Sequence, residues 1–313
     1  MIKLWHDKRY YSLDYYLKNK FGKKIYKISL NGGMTCPNRD GSLGTKGCIF
    51  CSKGGSGDFA SSPLLSIDDQ IEEGKQLIKN KISRDSLTSN TIGDYIAYFQ
   101  AYTNTYESVS YLRELYTKAI LHPDIVALSI ATRPDCLGDE IINLLKELNQ
   151  IKPVWIELGL QTCHEKSVDF IRRGYALPVF EEAMQKLSKA NIDTIIHLII
   201  GLPGETKEDI LKSVSYVSSF PIQGVKLQLL HVLKDTDLAS YEFDTFTMDE
   251  YIDIIIKSLE IIPPNIVIHR LTGDGNKNEL IKPLWSGNKK LVLNTINQEL
   301  KKRDTWQGKH YIS

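Results

Sequence analysis

Apolar residues recur along the chain in short runs, and the segments between them carry the spacing of amphipathic helices. After one long interval, the runs follow one another about every 30 to 40 residues, which is the length of a βα unit. They predict strands at residues 25–30, 95–100, 126–131, 154–160, 194–200, 224–230 and 266–269. The run at 195–200, IIHLII, is apolar almost throughout, as in parallel strands that are covered on both faces. The pattern therefore predicts a parallel α/β fold.

The intervening segments begin with polar residues that are typical of helix starts. A Ser or Thr followed three residues later by an acidic residue suggests a capping box. Three such pairs are present: Ser66 with Asp69, Thr206 with Asp209, and Thr247 with Glu250. After the first, one helical face carries Ile67, Ile71, Ile78 and Ile82. Six or seven βα units without a Pro/Gly/Ser-rich linker predict one domain, 1–313, built as a partial (β/α)6-type barrel.

The barrel interpretation also predicts where function lies. Active sites of parallel βα barrels form at the carboxyl ends of the strands. Polar or glycine-rich sequence follows each predicted strand: a cysteine loop after the first, then QAYTNT, ATRPD, GLQ, GLPGE and LHVLKDT. We expect a barrel core at about 24–274, an N-terminal helical extension at 1–23 and a C-terminal basic extension at 275–313.

Composition and charge narrow the class of protein. The chain of 313 residues is 42% hydrophobic and 25% charged, which is typical of a globular domain, and its formal net charge is +1. Without an apolar run of membrane-spanning length or a signal peptide, we expect a cytoplasmic protein. Two stretches are basic: Lys18, Lys20, Lys23, Lys24 and Lys27, and then Lys289, Lys290, Lys301, Lys302, Arg303 and Lys309. They are either solvated helix faces or a phosphate-contacting surface at both chain ends.

The cysteines supply the strongest chemical signal. Three of the five, Cys36, Cys48 and Cys51, fall within 16 residues. Three thiolates can bind three corners of a cubic iron–sulfur cluster and leave the fourth iron open. A zinc knuckle is the alternative, although a structural zinc normally takes four protein ligands. Cys136 and Cys163 stand alone in sequence, and we expect them to be buried apolar residues.

Several motifs together resemble one enzyme family. They are CPNRDG, GCIFC, FQAYTNTY, ATRPDC, ELGLQT, HLIIGLPGET, LHVLKDT and HRLTGD. The chain resembles the radical S-adenosylmethionine (radical SAM) superfamily from about residue 24 to 274, and within it the Elongator-like branch. It is most similar there to the bacterial YtqA/YhcC-type proteins, also called MnmL-like. The eleven residues between Cys36 and Cys48 match the long first loop of this branch.

The resemblance implies a radical SAM barrel with a [4Fe–4S] cluster on Cys36, Cys48 and Cys51. The open iron would chelate S-adenosylmethionine, whose reductive cleavage gives a 5′-deoxyadenosyl radical that takes hydrogen from a substrate. The resemblance places six residues at this cofactor: Phe50, Thr103, Glu157, Gln161, Arg173 and His197. Arg173 matches a position that holds the carboxylate, and Gln161 one that holds the ribose. Glu157 is either a ribose contact or an ion-pair partner of Arg133, and His197 is either a ribose contact or a core residue.

The substrate follows from resemblance alone. The relatives imply work on the C5 side chain of the tRNA wobble uridine, in one form the conversion of carboxymethylaminomethyl to aminomethyl. An electron donor such as flavodoxin or ferredoxin is implied as a partner. Two alternatives stay open: a radical SAM enzyme acting on a small metabolite, and a zinc-stabilised, non-catalytic RNA-binding module. His231, Asp235, His269, Arg270 and Asp274 are candidates to face the substrate, and the sequence assigns no residue a catalytic role.

Overall fold

The central element of the molecule is a curled sheet of parallel strands. A computed structural model describes residues 3–55, 60–79, 95–273 and 275–311. In chain order the strands are β1 (Tyr26–Leu30), β2 (Tyr95–Phe99), β3 (Ile125–Thr132), β4 (Val154–Gln161), β5 (Asp193–Ile200), β6 (Gly224–Leu229), β7 (Val232–Leu233), β8 (Val267–Arg270) and β9 (Leu280–Lys282). The sheet has the order β1-β2-β3-β4-β5-β6-β8, and β7 pairs with β9 in a separate antiparallel ribbon. All seven predicted strands are confirmed to within one residue at each end.

Helices connect the strands and cover the sheet. They are α1 (Leu13–Phe21), α2 (Ile67–Lys79), α3 (Val109–Leu121), α4 (Asp139–Asn149), α5 (Glu165–Phe170), α6 (Leu177–Lys189), α7 (Lys207–Ser218), α8 (Met248–Ile261) and α9 (Lys289–Lys302). The predicted capping boxes at Thr206 and Thr247 are confirmed by reciprocal hydrogen bonds, and Ser66 accepts a bond from the Asp69 amide at 3.2 Å. Ile82, expected on the apolar face of the first of these helices, lies outside the described residues. No described helix has the length and apolarity that crossing a membrane requires.

The sheet closes only partly, because β1 and β8 form its two edges. Each has a single partner within the sheet, β2 and β6 respectively. The result is the predicted partial barrel, with a seam between its first and last strands. The amino-terminal end of the barrel is filled by an apolar layer: Leu17, Ile25, Ile96, Ala127, Trp155 and Ile195. Helix α1 thus closes this end by contributing Leu17, and the open end is the carboxyl end.

The basic residues near the N-terminus do not form one surface. Lys18 pairs with Asp14 at 2.8 Å, and Lys20 lies 3.8 Å from the carboxylate of Asp193, at the amino-terminal end of β5. Lys27 is directed into the barrel, where it contacts Glu157 at 2.6 Å. A phosphate-contacting surface made of all five lysines is therefore wrong for this end of the chain.

Candidate active site

One cavity at the carboxyl end of the strands collects the residues that the sequence singled out. It measures about 230 Å³, and all nine predicted site residues line it: Cys36, Cys48, Phe50, Cys51, Thr103, Glu157, Gln161, Arg173 and His197. They come from the loop after β1, the loop after β2, the strands β4 and β5, and the segment between α5 and α6. The parallel arrangement explains this convergence, because every strand delivers its following loop to the same end.

Two side chains hold the cysteine loop in place. Arg39 donates from Nη2 to the carbonyl oxygens of Cys51 at 3.1 Å and Ser52 at 2.6 Å. Asn38 donates from Nδ2 to the sulfur of Cys48 at 3.4 Å and to the carbonyl of Arg172 at 2.8 Å. The loop is thereby tied both to itself and to the segment after α5.

Glycine is required where the cysteine loop meets the segment between α5 and α6. Gly174 has φ +81°, and a Cβ there would lie 2.6 Å from Oδ1 of Asn38. A side chain at this position would be strained by its backbone angle and would also displace Asn38. The close approach therefore depends on the glycine.

The three thiols fit a cluster better than a single metal ion. Two sulfurs bound to one zinc lie at most about 4.6 Å apart, because each Zn–S bond is about 2.3 Å. Within the described chain, the three Sγ atoms are not gathered within 4.8 Å of one another, and no further Cys or His joins them at that distance. A cubic cluster binds each thiolate through a different iron and so separates the sulfurs more widely. The zinc-knuckle alternative is therefore disfavoured.

The surroundings of the thiols support the same assignment. Burial raises the pKa of Cys48 to about 11, while the Arg133 charge and the Asn38 hydrogen bond act in the opposite direction. Iron binding there must displace the thiol proton, as metal binding to cysteine generally does. The N–H bond from Asn38 to the sulfur is also of the kind that adjusts the reduction potential of such clusters.

Phe50 and Thr103 stand beside the cysteines. Phe50 is half-buried and packs against an apolar group that includes Ile199 and Leu230, two residues that also line the cavity. Thr103 is buried, and its amide donates to the carbonyl of Thr35 at 3.2 Å, which joins the loop after β2 to the residue before Cys36. Both residues therefore have positions compatible with contact to a ligand of the cluster.

Gln161 is directed to the site by a backbone irregularity. The pairing of β4 with β5 shifts register between Gly159 and Gln161, and Gln161 adopts φ +65°. Such a bulge changes the direction of a side chain at a strand end. The Gln161 carboxamide nitrogen lies 2.9 Å and 2.8 Å from the carbonyls of Gly159 and Leu160. The strained residue thus lines the cavity with its amide plane fixed.

Arg173 differs from the expectation of a carboxylate-binding fork. Its Nη1 donates to the carbonyls of Leu160 at 2.8 Å and Thr162 at 2.7 Å. Its Nε and Nη2 both donate to the backbone carbonyl of Tyr175. The guanidinium is buried and stacks on the Tyr175 ring at 4.3 Å. Four of the five N–H donors are therefore taken by the backbone, and a two-bond clamp on a carboxylate is not available in this arrangement.

Glu157 is neither an ion-pair partner of Arg133 nor open to a ribose. Arg133 instead forms a bidentate pair with Asp135, at 2.9 and 2.6 Å. The fully buried Glu157 carboxylate accepts four bonds, which occupy its lone pairs: from Lys27 at 2.6 Å, from Ser129 at 2.6 Å, from His197 at 2.7 Å, and from Lys226. Burial alone would raise the pKa of Glu157, but Lys226 and Lys27 hold it well below the ordinary value.

His197 belongs to the same buried group of charges. Its Nε2 lies 2.7 Å from Glu157, and the ring lines the cavity. Burial and the nearby charge of Lys226 lower the pKa of His197 to about 4, so the ring is neutral near pH 7. The histidine is thus both an interior residue with a hydrogen-bond partner and part of the cavity wall.

Two lysines inside the barrel were missed by the sequence interpretation. Lys226 lies in β6, where its neighbours Val225 and Leu227 are buried, and Lys27 was grouped with surface lysines. The sequence does carry a signal for them, because a lysine between apolar residues of a buried strand has a side chain that points to one face of the sheet, here the interior. Glu157, in the apolar β4, carries the same signal, and the pairing of opposite charges then predicts an interior ion cluster.

The remaining candidates fall in different places. His231 and Arg270 line the cavity, whereas Asp235 is largely exposed, 3.9 Å from Lys53. His269 lines a second cavity beside the first, and Asp274 lies outside the described residues. Cys136 and Cys163 do not line the cavity, and both are only partly buried rather than core residues.

Comparison with known proteins places this site in one family. Residues 36–217 match the family model of the radical SAM superfamily, and residues 222–302 match that of the radical SAM C-terminal domain. The chain is 42% identical over 309 residues to the uncharacterized protein YtqA of Bacillus subtilis, covering 97% of this chain and 94% of YtqA. It is 29% identical over 156 residues to the tRNA uridine(34) acetyltransferase of Methanocaldococcus jannaschii, covering 48% of this chain and 28% of that enzyme.

A solved structure shares the fold. The archaeal Methanocaldococcus infernus Elp3, with its N-terminus deleted, superposes with a TM-score of 0.66 at 17% sequence identity. The superposition covers 91% of this chain but only 64% of that one, slightly less than two thirds of its length. At this identity the likeness shows the fold alone.

Proposed function

This chain belongs to the Elongator-like branch of the radical SAM superfamily, and we propose from that premise that it modifies the C5 side chain of the tRNA wobble uridine. Its cofactors are a [4Fe–4S] cluster and S-adenosylmethionine. When bound, they supply one-electron cleavage of the sulfonium and a 5′-deoxyadenosyl radical that takes hydrogen from the substrate. The proposed reaction converts a carboxymethylaminomethyl group to aminomethyl. The substrate loses one hydrogen atom to the radical and one further electron to an oxidised carrier such as flavodoxin, and hydrolysis of the resulting imine breaks the C–N bond and releases the two carbons as glyoxylate.

We assign the residues of the cavity in two groups. Cys36, Cys48 and Cys51 hold the cluster, and a further group of cavity-wall residues contacts S-adenosylmethionine: Phe50, Thr103, Gln161 and His197. Arg173 and Glu157 act as positioning residues, because their hydrogen-bonding groups are almost wholly occupied by protein partners. Arg173 fixes the turn after β4, and Glu157 orients His197 and Lys226.

The observation that carries the proposal is the continuity between two cavities. The cofactor cavity shares Tyr98, Gln100, Lys226 and Arg270 with a second space of about 1110 Å³. This second space, the lateral cavity, lies at the seam, where Lys27 of β1 and His269 of β8 line it. Its volume is slightly above the usual range of small-ligand sites, about 300–1,000 Å³, and leaves room for an extruded nucleotide.

The comparisons support tRNA as the substrate class. One relative of part of this chain is an acetyltransferase of tRNA uridine(34), and the shared fold is that of an Elp3 protein. We extend the proposal to a single catalytic domain over residues 1–313 and to an electron donor such as flavodoxin or ferredoxin. A cytoplasmic location accords with a tRNA substrate and with cysteines placed for a cluster rather than for disulfides.

The direct test is a reaction with purified components. Anaerobically purified, cluster-loaded protein is combined with a reductant, S-adenosylmethionine and tRNA that carries carboxymethylaminomethyluridine. We expect loss of the carboxymethyl group, measured by nucleoside mass spectrometry, together with 5′-deoxyadenosine. The variant Cys51→Ala should form neither product, whereas Cys163→Ala, away from the cavity, should form both.

The two alternatives give different results in the same assay. A small-metabolite enzyme would release 5′-deoxyadenosine without changing the tRNA. A non-catalytic zinc module would be colourless and would release no 5′-deoxyadenosine. Either result contradicts the tRNA assignment.

A further inference from the structure

Positive charge is concentrated where the cofactor cavity meets the lateral cavity. We propose that Lys226 and Arg270 form a binding site for the carboxylate that the substrate carries on its uridine side chain. This inference rests on the proposed function and specifies which form of the wobble uridine the site selects.

The two cations are neighbours on adjacent strands. Lys226 of β6 is the register partner of Arg270 of β8, and adjacent strands lie about 4.8 Å apart. Both residues line the cofactor cavity and the lateral cavity, so both border the passage between them. A carboxylate has two oxygens and can accept charge-assisted hydrogen bonds from more than one donor at once. The pairing of the two strands therefore brings two cationic donors to the same passage.

The charge balance inside the barrel favours an anion. Lys27 and Lys226 both pair with the single carboxylate of Glu157. That carboxylate also accepts from Ser129 and His197, so its acceptor capacity is used. Among the interior groups described above, two ammonium groups thus share one negative charge. A buried cation without a full counter-charge is costly, and a ligand carboxylate lowers this cost.

The state of Lys226 agrees with this shortage of negative charge. Burial lowers the pKa of Lys226 to about 7, and the charges of Lys27 and Arg270 act in the same direction against the attraction of Glu157. The side chain is only 5% exposed. An anion bound beside Lys226 would hold its ammonium in the charged form, and the binding energy would come partly from that effect.

Arg270 supplies a second group of charged N–H donors. Its Nη1 donates to Oε1 of Gln228 at 3.2 Å, and the side chain lines the cofactor cavity. Gln228 lies two residues after Lys226 on β6, so both project from the same face of the strand. The strand thus places the ammonium and the residue that orients the guanidinium on one side of the passage.

The proposed reaction gives this site a consequence. The carboxymethylaminomethyl group ends in a carboxylate, and the aminomethyl product lacks it. The site therefore binds the substrate more tightly than the product, which favours product release after the group is removed. Phosphate groups of the RNA are common to both forms and do not contribute to the difference.

Binding of matched RNAs to the holoenzyme tests the proposal. Two anticodon stem-loops with identical sequence carry either carboxymethylaminomethyluridine or aminomethyluridine at the wobble position. Dissociation constants are measured with the cluster and S-adenosylmethionine bound but without reductant, so that no turnover occurs. Wild-type protein should bind the carboxylated RNA about tenfold more tightly, as expected for charge-assisted bonds to one carboxylate.

Four variants separate the site from general effects. Arg270→Gln and Lys226→Gln should bring the affinity ratio close to one without weakening the aminomethyl RNA, and Arg270→Lys should restore part of it. Lys212→Gln, an exposed lysine of α7, should keep the wild-type ratio. Lys226→Gln retains an N–H donor for Glu157. Should Lys226→Gln fold poorly, Arg270→Gln still tests the site, because it leaves the contacts of Glu157 unchanged.

The outcomes distinguish this proposal from the proposed function. A wild-type ratio near one, or a ratio that survives in both Arg270→Gln and Lys226→Gln, overturns the carboxylate site. A ratio that depends on these residues, combined with no conversion under reducing conditions, supports the site and contradicts the proposed reaction. Conversion of the tRNA by a protein that binds both RNAs equally supports the proposed reaction and contradicts the carboxylate site.

Discussion

At the scale of single residues, Glu157 is the group on which the barrel interior depends. One carboxylate pairs with both Lys27 and Lys226 and accepts bonds from Ser129 and His197. These contacts join β1, β3, β4, β5 and β6 at one point. The same residue orients the two groups, His197 and Lys226, that face the cofactor cavity.

Glu157→Gln should destabilise the protein strongly. The substitution leaves two buried ammonium groups without a carboxylate, and breaking a buried ion pair on one side costs about 3–5 kcal/mol. The free energy of unfolding, measured by urea denaturation under anaerobic conditions, should fall by this amount. Glu147→Gln, which removes an exposed partner of Arg113, serves as the control and should leave the midpoint unchanged. Equal effects of the two substitutions would contradict the ion cluster.

His197 should make stability depend on pH in a defined window. Burial lowers its folded pKa to about 4 from an unfolded value of 6.5. The unfolded chain therefore binds a proton between these values that the folded chain does not, and stability present above pH 6.5 is lost as the pH falls. From pH 7 to pH 5 the loss that His197 contributes is about 2 kcal/mol.

Matched histidine variants isolate this effect. His197→Gln keeps an N–H donor for Glu157 but should lose the part of the slope that His197 contributes. His6→Gln, at an exposed position, should behave as wild type. A wild-type slope in His197→Gln would show that the ring is not held neutral by burial.

At the scale of elements, the strands could be predicted because apolar residues recur in short runs, nearly continuous in β5 and alternating with polar residues in β1 and β6. The predicted strand bounds agree with the structure to within one residue, and the predicted partial barrel is also present. The roles of charged residues inside it could not be predicted in the same way. Glu157 and Lys226 are 69 residues apart in sequence, and only the pairing of β4, β5 and β6 brings them together.

Arg173 illustrates the same difficulty at the site. Its position in the cavity wall could be predicted from the motif, but its partners could not. The carbonyls of Leu160 and Thr162 are available to it only because β4 ends in a bulge at Gln161. Backbone irregularities of this kind leave no periodic signal in a sequence.

Helix α1 should contribute substantially to stability through its one buried residue. Leu17 is 4% exposed and packs in the apolar layer that includes Trp155 and Ile195. Leu17→Ala should lower the free energy of unfolding by about 2–5 kcal/mol, the usual cost of this truncation in a core. Leu121→Ala, at a position 60% exposed on α3, should change it by less than about 0.5 kcal/mol. A small effect of Leu17→Ala would mean that α1 does not close the barrel.

At the scale of the whole molecule, the two ends of α9 contact different parts of the structure. Lys289, at its start, lines the lateral cavity. At its end, Arg303 pairs with Asp253, and Asp304 pairs with Arg9 of the N-terminal segment. The C-terminal basic residues are therefore divided between the lateral cavity and contacts with α8 and the N-terminal segment.

The start of α9 should contribute to RNA affinity, and its end should not. Lys289→Gln with Lys290→Gln should weaken tRNA binding and reduce the slope of log affinity against log salt by about 1 to 2. Fewer counterions are released on binding when the protein makes fewer phosphate contacts. Lys301→Gln with Lys302→Gln removes the same charge from the other end of the helix. Equal losses in both double variants would indicate attraction by overall charge instead of an oriented complex.

The central claim is that this enzyme acts on the wobble uridine of tRNA. Nucleoside mass spectrometry of tRNA from cells lacking the gene tests it most directly, with complementation by wild type and by Cys51→Ala as matched controls. We expect carboxymethylaminomethyluridine to accumulate and aminomethyl-derived nucleosides to disappear, with recovery only by the wild-type gene. An unchanged wobble-uridine profile would contradict the account.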